Sequence, residues 1–235
     1  MPPADRDGYL KQTQRPLHCL GFVISPLVFY QLAGWRFGHE VVAPHDLGRI
    51  LGFFGATAWF LPAMLIVVVL LLQHAVHGYR WDIRPTVLLG MLAESVAWVL
   101  PLYCLSYLGT KLLAAGAGGR PSPALTLVLQ SIGAGIYEEF IFRLMLISLV
   151  LVVLVDIFEL RRDASAIGAV LVGAVLFSAY HLNWEQLAGS ARIPWGDFVF
   201  RSLAGAYLGA LYIWRGYGVA VGVHVIWNLY AFSTG

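Results

Sequence analysis

Seven apolar stretches, each near the length needed to cross a bilayer, take up most of this chain. They run at about 17–35, 49–73, 86–109, 124–155, 164–182, 197–214 and 217–233. A helix needs roughly 20 apolar residues to span the hydrocarbon core. Backbone in that core must also satisfy its polar groups within its own segment. The fold class follows: all-α, a polytopic membrane bundle of about seven transmembrane helices. The charge content agrees, because only 12% of the 235 residues are Asp, Glu, Lys or Arg, about half the share found in soluble domains.

The second stretch contains the run MLIVVVLLL, and the fourth is long enough to tilt or to project beyond the membrane. Between the sixth and seventh, the segment RGYG (Arg215–Gly218) leaves room only for a tight turn, so those helices are expected to be antiparallel neighbours. Residues 1–16 are polar, and the first apolar stretch reads as a retained helix rather than a signal peptide. Cys19 and Cys104 sit in apolar stretches without a CxxC spacing and read as small buried hydrophobes. The formal charge of +2 gives no reason to expect a nucleic-acid partner. With the N-terminus in the cytoplasm, the loops hold eight Lys or Arg inside and five outside. That bias sets the expected orientation.

The constraint on function is the small set of ionisable groups inside the spans, which lipid tolerates only when they are paired or hydrated. GAGIYEEFIFRLML (Gly133–Leu146) carries Glu138, Glu139 and Arg143; FSAYH ends the fifth span with His181; HVIWN in the seventh holds His224 and Asn228. Residues four apart share a helix face, so Glu139 can pair with Arg143, and His224 can act together with Asn228. Glu138 is rotated by about 100° from Glu139 and is left for another partner. A carboxylate in a low-dielectric site is a candidate general base, and two donors on one face suit an oxyanion. A glutamate with two histidines is also a zinc ligand set, although no HExxH helix is present. Glu94 and Arg201 read as structural, paired with each other or facing a polar cavity. GAYLG (Gly205–Gly209) reads as close helix packing.

In this order, EEFIFR, FSAYH and HVIWN resemble the EExxxR, FxxxH and HxxxN motifs of the CPBP (CAAX protease and bacteriocin-processing, or Abi) intramembrane proteases. The likeness covers about residues 125–232. With the apolar pattern before it, the chain divides into the polar segment 1–16, N-terminal transmembrane helices 17–120 and, by this resemblance, CPBP-like catalytic helices 121–235. The resemblance further implies that Glu138 is the catalytic base and that His181 helps bind the attacking water. Glu139 and Arg143 would order the site, and His224 and Asn228 would stabilise the oxyanion. The family has been described both as metal-dependent and as metal-independent, so the cofactor stays open between none and zinc. The expected partners are the bilayer and a peptide or protein substrate: a peptide precursor, a sorting-signal tail or a CAAX-like C-terminus. The expected location is a bacterial or archaeal cell membrane, with the site opening to the extracytoplasmic side. Two other classes compete. A non-catalytic immunity or scaffold protein predicts broken motifs. A proton-coupled transporter predicts discontinuous helices and repeated halves.

Overall fold

The computed structural model describes residues 8–37, 60–112 and 124–234. A short helix α1 (Tyr9–Thr13) leads into α2 (Pro16–Phe37), followed by α3 (Leu61–Val76). Next come α4 (Pro85–Trp98) and α5 (Leu100–Leu112), nearly continuous but broken at Val99. Pro101 lacks the N–H that would carry the helical ladder through that point. Helix α6 (Ala124–Ile157) is 34 residues long, about 51 Å at 1.5 Å per residue, and so exceeds the roughly 30 Å hydrocarbon core. It is α-helical to Glu139, then opens into wider π turns over Phe140–Ile147 and Val152–Ile157. Helices α7 (Arg162–Tyr180), α8 (Trp184–Leu187), α9 (Trp195–Arg215) and α10 (Tyr217–Thr234) complete the chain.

Helices therefore stand at all seven expected places, and no strand occurs among the described residues. Residues 49–59 of the second expected span lie outside the described residues. Among the described residues, four helices are long and apolar enough to cross a membrane: Pro16–Arg36, Pro85–Gly109, Ala124–Ile157 and Arg162–Tyr180. The outward face of α7 shows what surrounds the protein. Ile167, Leu171, Val172, Val175 and Leu176 point out, a stripe that lipid rather than water would cover. The inward face carries Ala169, Gly173, Ala174 and Phe177.

Helix α10 is the axis of the bundle. Every residue from Arg215 to His224 is buried, and α10 packs against α6, α4, α2 and α9. Glycines permit these approaches. A Cβ on Gly205 of α9 would lie 3.1 Å from the Ala174 backbone of α7, so the GAYLG segment does serve close packing. The α9–α10 turn is one residue, Gly216, with φ at +87°, a region open to glycine but strained for other residues.

Three expectations change. Glu94 pairs with Arg215, not Arg201; its carboxylate accepts from Arg215 Nη2 at 2.6 Å and Nε at 2.8 Å. Arg201 makes no ion pair among the described residues. Arg215 sits in a turn by sequence but is 1% exposed, because the tight turn folds it back between α1 and α4. Cys104 is exposed while Cys19 is buried. The position of Cys104 on the outer face of α5 leaves it toward lipid.

Candidate active site

The EEFIFR segment lies where α6 widens, and its three ionisable groups have different surroundings. Glu139 is fully buried and Arg143 is 2% exposed. Glu139 Oε1 is 3.1 Å from Arg143 Nη1, the expected pair one turn apart. The same oxygen accepts a 2.7 Å hydrogen bond from His224 Nδ1 of α10. Glu139 Oε2 has no hydrogen-bond partner among the described residues. Arg143 Nη2 donates to the Gly205 carbonyl at 3.3 Å, and its guanidinium lies 4.5 Å from the centre of the Phe177 ring. A glycine at 205 brings that backbone within reach of the arginine, which draws α9 into the site.

Glu138 faces a partly open space; its side chain is 20% exposed. Its Oε1 is 3.9 Å from His181 Nε2, and its Oε2 is 3.7 Å from His224 Nε2. These distances exceed a direct hydrogen bond, so the two imidazoles flank the carboxylate without closing on it. Each ring is fixed through its other nitrogen. His181 Nδ1 lies 2.8 Å from the Phe177 carbonyl, which can only accept. His224 Nδ1 donates to Glu139. In neutral rings both Nε2 atoms therefore present lone pairs toward Glu138. Phe177, one turn before His181, also packs edge-on against His181 and His224, at 4.9 and 6.1 Å between ring centres.

The structure thus brings together Glu138, Glu139, Arg143, His181 and His224, from α6, the end of α7, and α10. Asn228 is buried one turn beyond His224 on the same face, and its amide makes no hydrogen bond among the described residues. Residues outside the motifs complete the arrangement. Gly205 supplies the carbonyl for Arg143. Gly135, three residues before Glu138, has no room for a Cβ against the Val225 side chain. The glycines of GAGIY were the sequence signal for that contact.

Residues 120–230 match a family model described as type II CAAX prenyl endopeptidase Rce1-like. Over these residues the chain is similar to the CAAX protease family. Comparison with curated proteins and with solved structures gave no match. The family match and the apolar helices together make this an integral membrane protein that is similar, over the matched residues, to the CAAX endopeptidases. All the clustered ionisable residues fall inside the matched region.

The family's metal alternative can be weighed on these side chains. Glu138, His181 and His224 carry donor chemistry suited to zinc, and each histidine is oriented through its other nitrogen, as metal-bound histidines are. Their spacing does not follow: among the described residues no three His, Cys, Asp or Glu side chains form a group that could hold a metal ion.

Proposed function

We propose that the protein is an intramembrane endopeptidase in which Glu138 activates water against a peptide bond of a membrane-associated substrate. The observation that carries this reading is the pair of imidazoles standing 3.7 and 3.9 Å from the two oxygens of one half-open carboxylate. A water hydrogen-bonded at about 2.8 Å fits between Glu138 Oε1 and His181 Nε2. It gives one hydrogen to each and turns its lone pair outward. Attack forms the new C–O bond as Glu138 takes the water's proton. Collapse breaks the C–N bond, and Glu138 returns that proton to the departing amine.

The oxyanion formed on the way needs donors. Asn228 Nδ2 is one. His224 is the other when its Nε2 carries a proton, which makes the ring a cation balanced by Glu139 through Nδ1. Arg143 holds Glu139 in place for that role. A prenylated CAAX-like tail is the first substrate to test, given the matched family; a peptide precursor and a sorting-signal tail follow. On the loop-charge orientation, the space beyond His181 opens to the extracytoplasmic side.

The test is cleavage by purified protein in liposomes, with fragments identified by mass spectrometry. Wild type should cut one bond near the tail and keep doing so in the presence of a metal chelator. A protein that cuts none of the three substrate classes would sink the protease reading. Loss of cleavage with chelator, restored by added zinc, would overturn the metal-free mechanism.

A further inference from the structure

Helix α10 touches the glutamate helix at more than the histidine. Tyr217, its first residue, is 2% exposed, and its hydroxyl donates to the Ile136 carbonyl at 2.8 Å. Ile136 lies two residues before Glu138. Seven residues, close to two helical turns, separate Tyr217 from His224, so both project from one stripe of α10. One grips the backbone just ahead of the glutamates, and the other grips Glu139. Immediately after His224, Val225 seats against Gly135, where no side chain fits.

Tyr217 is itself held from behind. It follows Gly216, whose α-carbon position packs against Gln14 and Thr13 of the N-terminal segment. Gln14 donates to the Trp214 carbonyl, and Arg215 is locked to Glu94 and reaches the Leu10 carbonyl at 3.4 Å. The turn that launches α10 is therefore fixed on both sides, and Tyr217 carries that fixed point to the backbone beside Glu138.

We infer that Tyr217 is a positioning residue: its hydroxyl, bonded to the Ile136 carbonyl, sets the depth of Glu138 relative to His224 and His181. The reason is geometric. Glu138 has no direct hydrogen bond from either imidazole, so its place depends on its backbone, and Tyr217 is a side-chain donor to that backbone within one turn of it. This inference rests on the protease reading for its catalytic readout, but the contact can be tested without it.

The experiment is Tyr217→Phe, which removes one hydroxyl and leaves the ring in the core. Ile136 is in helix, so its carbonyl keeps a ladder partner and the variant should fold with nearly unchanged thermal unfolding. Misplacement by a fraction of an ångström should lower kcat about tenfold with KM unchanged. Amide hydrogen exchange over residues 133–144 should rise while the rest of the bundle keeps its protection. Wild-type kcat in a folded Tyr217→Phe protein would overturn the inference, as would equal losses in kcat and in unfolding midpoint with no KM–kcat split. If wild type cleaves nothing, the protease reading fails alone and hydrogen exchange decides: local loosening over 133–144 keeps the positioning role, and unchanged exchange removes it.

Discussion

The ion pairs Glu94–Arg215 and Glu139–Arg143 each rest on a buried arginine, and they are built in opposite ways. Glu94 and Arg215 form a closed fork, with two hydrogen bonds of 2.6 and 2.8 Å. Arg215 also lies over the Tyr9 ring. Burial, and then the nearby Glu94 carboxylate, push the Tyr9 phenol above its ordinary range. Glu139 and Arg143 form an open pair. One glutamate oxygen serves both Arg143 and His224, the other has no partner among the described residues, and the arginine spends a nitrogen on the Gly205 backbone. Beside it, Glu138 has neighbours at 3.7 and 3.9 Å but no close bond. The closed fork holds α1, α4 and α9 together. The open pair leaves hydrogen-bonding capacity unspent around a partly exposed carboxylate, which is what a site needs in order to bind water and a developing charge.

The contrast can be broken first at the arginines. Arg143→Leu leaves Glu139 buried without its cation, and Arg215→Leu does the same to Glu94. Removing one partner of a buried pair costs about 3–5 kcal/mol, with Arg215→Leu at the lower end because Glu94 keeps some solvent contact. Thermal unfolding in detergent reads both. For the fork, the double variant Glu94→Leu with Arg215→Leu should recover most of the stability and keep cleavage. For the open pair, Glu139→Leu with Arg143→Leu should stay inactive even where it folds.

Asn228→Ala comes next. Loss of one oxyanion donor lowers kcat about 10²-fold, while KM and the unfolding midpoint should hold. A similar Asn228→Ala loss in stability would make the residue structural instead. Gly135→Ala is smaller. The new methyl meets Val225 and pushes α10 from α6, at about 1–3 kcal/mol of overpacking, and cleavage should fall as His224 is drawn from Glu139. The smallest effect is Glu94→Gln, whose single carbonyl oxygen keeps one hydrogen bond of the fork while its NH2 loses the other at a side chain that keeps some solvent contact. About 1 kcal/mol and no change in kcat are expected from unfolding and cleavage assays.

Much of this was legible in the sequence, for a physical reason. Lipid removes most ionisable residues from spans, so Glu138, Glu139, Arg143, His181 and His224 stood out against apolar neighbours, and the i to i+4 rule paired Glu139 with Arg143. Helix spacing says nothing about which distant segments meet. Glu94 found Arg215 across 121 positions, and Arg215 read as a loop charge because the turn around it is so short. Tyr217 looked like one more of eleven tyrosines, since the backbone carbonyl it bonds leaves no mark in sequence. The N-terminal segment read only as polar, yet Thr13 and Arg15 are buried: Thr13 packs at the α9–α10 turn, and Arg15 lies beside Asp82 and over the Tyr79 ring. The widening of α6 after Glu139 likewise has no local signal in an apolar run.

The adjacent glutamates give the most direct measurement. Glu138→Gln and Glu139→Gln each remove one negative charge from the same helix, and cleavage rate and unfolding midpoint are measured on both in the same liposomes. Glu138→Gln should keep its midpoint and lose about 10³-fold in rate. Glu139→Gln should lower the midpoint, because Arg143 is left buried without its counter-ion. A Glu138→Gln protein that cleaves at near the wild-type rate would contradict the account and pass the base's role to Glu139.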